Sequence, residues 1–99
     1  MSAFSVTSAQ LRESAEELNR LNTQFMSAEE ELISEENTLK GMWEGAANEA
    51  FHAAFTGDVS KMEAFIGAIN SYVSALTVIA EKYEEAERRN EQVAASRTY

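Results

Sequence analysis

One recurrence constrains this chain more than anything else in it. Leu11, Leu18, Phe25, Leu32 and Leu39 follow one another every seven residues. Seven residues make nearly two turns of α-helix, so these side chains form one narrow longitudinal seam. Leu21 and Ala28 supply the position three further on in two of the heptads, and Ala15 widens the stripe near its start. Between them stand Arg12, Glu13, Glu16, Glu17, Arg20, Glu29, Glu30, Glu31 and Glu36, which read as a wet, acidic face. The spacing predicts a helix over residues 8–40. Thr7 with Gln10 fits a capping box, with Ser8 as the alternative cap. Phe4 or Val6 is expected to pack back onto the first turn. Glu35 falls on the apolar seam and is expected near a wet bundle end. Glu29, Glu30 and Glu31 are expected to be a solvated run, because adjacent helix positions point apart and do not converge on a metal.

The periodicity stops at Gly-Met-Trp-Glu-Gly, residues 41–45, and resumes beyond it. Ser34, Asn37 and Thr38 already weaken helix propensity before this stretch. Glycine accepts turn dihedrals at no side-chain cost, so a turn is predicted over 41–45, with Trp43 packed across the hairpin end. A second helix is predicted over residues 46–91. It carries three apolar rows. Phe55, Met62, Ile69, Leu76 and Tyr83 form one. Phe51, Phe65, Tyr72, Ile79 and Ala86 form another, interrupted by Asp58. Ile66, Val73 and Ala80 form the third. About three positions in seven are apolar, which suits a helix touching more than one neighbour. Gly57 is expected to loosen the helix and Gly67 to permit a close helix contact. From Arg88 the apolar pattern fades into a frayed end and a short tail.

Composition removes several classes of function. There is no cysteine, so disulfides and thiolate metal sites are excluded. His52 is the one histidine and reads as a half-exposed surface residue; no catalytic constellation can be built around it. No catalytic residue, cofactor or metal is expected, and the chain reads as a non-enzyme, because the predicted cores are apolar rather than pockets of converging polar groups. Seventeen acidic residues against 8 basic ones give a formal charge of -9. Such a chain is a poor ligand for nucleic acid or an anionic membrane surface. The least polar region, 65–80, is shorter than the roughly 20 residues of a membrane span, so stable membrane insertion is not expected. The N-terminus has neither the basic region nor the apolar run of a cleavable signal peptide.

The fold class predicted is all-α: an antiparallel helical hairpin forming a single domain over residues 1–99. Helices of about 33 and 45 residues extend roughly 50 and 68 Å. A lone hairpin leaves part of the broad apolar face of its second helix wet. Pairing two hairpins into a four-helix bundle covers it. A homodimer is the simplest assembly, and a heterodimer with a similar hairpin is the alternative.

Two short motifs sit on this framework. Trp43-Glu44-Gly45 is a WxG at the middle of the chain, and Tyr83-Glu84-Glu85-Ala86-Glu87 fits Tyr-x-x-x-Asp/Glu near the end of the second helix. With the chain length and the two heptad-patterned helices, they make the chain resemble the WXG-100 family, the ESAT-like small proteins of type VII (ESX) secretion systems. Ala46, Ala50 and Phe51 also match the family's pattern after the turn. The resemblance implies a dimeric hairpin that leaves the cytoplasm without a conventional signal peptide. It implies that Trp43 and Gly45 form the turn motif and that Tyr83 and Glu87 form an export signal read with the secretion ATPase. It implies a role after export as effector, partner or component of the secretion machine. A cytoplasmic helical adaptor that is never exported would show the same periodicity and acidic surface.

Overall fold

The computed structural model describes residues 6–96 and contains two α-helices, α1 (Ser8–Met42) and α2 (Ala46–Ser96). They form an antiparallel hairpin about 84 Å long and 21 by 16 Å across. Phe4 lies outside the described residues; Val6 is exposed.

Helix α1 begins where the sequence signal places it. The Gln10 backbone N–H donates to Thr7 Oγ1 (3.1 Å). In return the Thr7 N–H donates to Gln10 Oε1 (3.0 Å). This reciprocal pair satisfies two amides that the helix itself cannot. Lys40 lies in the last turn, where a cation complements the helix dipole.

The turn is shorter than the predicted 41–45. Gly41 and Met42 remain helical, and the chain leaves α1 at Trp43, whose backbone is extended at φ -125°. Gly45 alone needs glycine's freedom, with φ at 113°. Its carbonyl then accepts from the backbone N–H groups of Asn48 (3.1 Å) and Glu49 (3.2 Å), which launches α2. Helix α2 runs unbroken through Gly57 and Gly67 and continues to Ser96, past the predicted end at 91. Among the described residues nothing lies within 4 Å of where a Cβ at Gly67 would stand, so that glycine makes no close contact between α1 and α2. Helical propensity in Arg88–Ser96 is enough to carry α2 on without a packed face: Glu91, Gln92, Ala94 and Ala95 are all good or tolerated helix formers.

The line of closest packing on α1 is not the leucine row. The buried residues of α1 are Ser8, Ala15, Asn22, Glu29 and Glu36, another heptad, offset by three. Leu11, Leu18 and Phe25 are half-buried beside this line, while Leu32 and Leu39 are exposed. On α2 the buried residues are Ile66 and Ala80, with Val59 and Val73 half-buried on the same heptad. The row ranked third in the sequence is therefore the one that meets α1. The physical reason is the spacing between helices: small and compact side chains on α1 admit the β-branched row of α2, and bulky leucines fit only at the edges. Glu29, expected in a solvated run, is 5% exposed because it falls on this central line; Glu30 and Glu31 are exposed.

Candidate functional site

The hairpin has two unlike sides. On one, α1 contributes Leu11, Leu18, Phe25, Leu32 and Leu39, and α2 contributes Phe55, Met62, Ile69 and Leu76, with Phe51, Phe65, Tyr72 and Ile79 further out. Phe65 is 51% exposed and Tyr72 is 59% exposed. On the other side α2 presents Thr56, Glu63, Asn70, Thr77 and Glu84, a row in which every member is polar. The difference extends to the grooves between the helices. One apolar groove is lined by Leu18, Leu21, Phe25, Phe65 and Ile69. Another, nearer the tip, is lined by Leu32, Leu39, Met42, Phe51 and Phe55, with Glu35 and Glu36 among its walls. Rings join the elements along this side. Phe25 and Phe65 have centroids 5.2 Å apart across the helices. Trp43 lies 5.8 Å from Phe51, which in turn lies 6.3 Å from Phe55. Trp43 is half-buried, so it both packs on Phe51 and faces solvent.

Along the seam the helices are tied by polar groups. Near the open end, Arg12 grips Glu84 with two bonds, Nε to Oε2 at 2.7 Å and Nη2 to Oε1 at 2.8 Å. Bidentate geometry of this kind fixes orientation as well as charge. The hydrogen bond and charge of Arg12 hold the Glu84 carboxyl below its ordinary range, and Glu84 holds the guanidinium above its own. In the middle, Asn22 donates from Nδ2 to Asn70 Oδ1 (3.1 Å) and to the Ile66 carbonyl (3.3 Å). One heptad further on, buried Glu29 stands opposite Glu63 of α2. Near the tip, buried Glu36 pairs with His52 Nδ1. The histidine is half-exposed, as the sequence leads one to expect, but its partner stands sixteen residues away on α1, which no local pattern reveals.

Tyr83 and Glu87 are both exposed on α2, one turn apart on the same side of the helix. Trp43 and Gly45 are at the opposite end. Forty residues of helix separate Trp43 from Tyr83, about 60 Å. Within one chain the two motifs do not meet. Among the described residues no cluster of three or more His, Cys, Asp or Glu is arranged to hold a metal ion. By length and composition alone, α2 contains a stretch long and apolar enough to cross a membrane, and almost none of that stretch is buried in the hairpin.

Comparison with known proteins agrees with this geometry. The family described as WXG100, proteins of 100 residues with WXG, matches residues 3–88. Two crystal structures of a secreted protein EsxB from Bacillus anthracis strain Sterne, one wild-type and one a point mutant, each superpose with a TM-score of 0.76 at 24% identity, over 84% of this chain and 89% of theirs. They share the hairpin fold. A comparison with curated proteins returns no match.

Proposed function

The chain belongs to the WXG100 family, and from that premise we propose that it acts as a dimer exported by a type VII secretion system, as a secreted effector or as a partner that accompanies another substrate. Members of the family are small helical proteins secreted without a cleavable signal peptide. One observation supports the dimeric reading above others: an apolar side running the length of the hairpin, with Phe51, Phe65, Tyr72 and Ile79 left open. Exposed apolar surface of this extent calls for a second layer. A second copy laid on that side completes a four-helix bundle. In an antiparallel pair the tip of one hairpin lies beside the open end of the other. The WxG and Tyr-x-x-x-Glu motifs, far apart in one chain, then become neighbours across the interface. Tyr83 supplies a rigid aromatic anchor and Glu87 an acceptor for a basic rim on the secretion ATPase. Before export the dimer resides in the cytoplasm.

Sedimentation equilibrium is expected to give twice the 11.0 kDa chain mass; a heterodimer would instead form only when a sister hairpin is added. For export, Glu87→Gln preserves shape and removes charge. The variant is expected to fold and dimerise but to accumulate inside the native bacterium, as is Tyr83→Ala. Deleting the ATPase is expected to retain the wild-type chain. Normal secretion of both variants sinks the signal assignment. A chain that stays inside with the ATPase present is a cytoplasmic adaptor.

A further inference from the structure

The middle of the seam holds an arrangement that helix packing does not require. Glu29 is 5% exposed, and its Oε2 atom is buried with no hydrogen-bond partner. Glu63 of α2 stands opposite it, each of the two lying one heptad toward the tip from the Asn22–Asn70 bond. The charges acting on it are Glu63 across the seam and Glu30 beside it on α1, and both are acidic. Two ionised carboxylates only accept hydrogen bonds, so the pair has no donor between its members. A buried acceptor without a donor is costly, and two like charges at close range add to that cost. One proton resolves both problems, because a protonated carboxyl donates to its ionised neighbour.

We propose that the Glu29–Glu63 pair is a proton latch at the middle of the hairpin, closed when Glu29 carries a proton and loosened when the proton leaves. Burial first, then the bond and charge of Glu63, push the Glu29 carboxyl above its ordinary range. The sign of the pH effect follows from that direction. A folded-state carboxyl held above its unfolded value binds its proton more tightly when folded, so the stabilisation is complete below the ordinary value of 4.5. It is lost as pH rises through the raised folded value. This runs opposite to Glu84, whose ion pair favours the ionised form. The seam therefore has one tie that acid strengthens and, at its open end, one that acid eventually breaks. Two heptads separate Glu29 from Ala15, next to the Arg12 tie, so the two respond independently.

The test uses the full-length chain labelled with 13C at its glutamate carboxyls. The Glu29 carboxyl signal is expected to titrate above the ordinary carboxylate value of 4.5. In thermal melts, wild type is expected to gain melting temperature from this pair as pH falls from neutral toward the ordinary carboxylate value of 4.5. Glu29→Gln supplies a permanent amide donor to Glu63 and is expected to lose that gain. Glu30→Gln removes the same unit of charge from an exposed neighbour and is expected to keep most of it, which separates the latch from general relief of acidic repulsion. Should Glu29→Gln fail to fold, Glu63→Gln provides the donor from the other helix and carries the same expectation. A Glu29 signal that titrates at or below 4.5, or equal pH slopes in wild type and all variants, overturns the proposal.

Discussion

Two rows on α1 share one seven-residue period and serve opposite ends. Ser8, Ala15, Asn22, Glu29 and Glu36 are buried against α2 and include no large apolar residue. Leu11, Leu18, Phe25, Leu32 and Leu39 hold most of the helix's apolar surface and lie along one edge, half-buried or exposed. The contact inside the chain is thus narrow, close and partly polar, while the apolar side is held back for another surface. Hydrophobic area drives association without direction. Polar ties such as Asn22 to Asn70 and Arg12 to Glu84 do not add much net stability, but they tolerate only one alignment of the two helices. In the dimer proposed above, one row sets the register of the hairpin and the other its assembly.

Substitutions in the two rows are expected to affect different measurements. The largest effect falls on the apolar side. Truncating an aromatic anchor in a protein interface commonly removes about 2–4 kcal/mol, so Tyr72→Ala is expected to weaken the dimer roughly 30- to 700-fold while helix content per chain stays high. Sedimentation over a concentration series reads this directly, and an unchanged dissociation constant would show that the side is not the interface. A smaller effect is expected in the seam. Asn22→Ala removes donors to Asn70 and Ile66 but also removes its own unpartnered Oδ1, so the cost is about 1 kcal/mol of unfolding free energy. Denaturant titration at fixed concentration measures it, and the dimer constant is expected to move little. If Asn22→Ala disrupts the dimer as strongly as Tyr72→Ala, the division of labour between the rows is wrong.

The smallest effect concerns acid. The Arg12–Glu84 pair stabilises the folded chain above the ordinary carboxylate value of 4.5, and that contribution fades as pH falls through the lower folded value. Both side chains are partly exposed, which limits its size. Arg12→Gln is expected to have a slightly flatter stability profile below that value than wild type. Parallel profiles from pH 6 to 3 would mean that the pair contributes nothing in solution.

The hairpin itself was legible in the sequence. Heptads on both sides of one glycine-bounded break, a Thr7–Gln10 box and an apolar excess on the second helix led to two antiparallel helices with an unmet side. The row that α1 buries was not legible. Hydrophobicity tells which residues need cover, not which surface supplies it. That depends on the rotation of each helix about its axis, set by side chains on both. A signal was present: Ile66, Val73 and Ala80 form a row of compact residues, and Ala15 and Asn22 lie on a heptad of small or polar residues opposite them. Matching a compact row with a small one identifies the seam. The polar partners of Glu29 and His52 could not be found without it, since each lies on the other helix. Gly45 could be separated from Gly41 only by backbone angles, because either residue can end a helix.

Unequal helix lengths have a mechanical consequence. Helix α1 has 35 residues and α2 has 51. With Arg12 opposite Glu84 and α1 starting at Ser8, the turns of α2 beyond about residue 88 project past the end of α1 as a single rod, some 12 Å long. A pull on that rod does not load the hairpin evenly. Force enters one helix only, and Arg12–Glu84 is the first tie to bear it. The Asn22 contacts come next, then Glu36–His52, each exposed to load only after the one before has given way. The hairpin peels from its open end in steps instead of resisting as one block, and it yields to a grip on the tip of α2 more readily than to the same force shared by both helices.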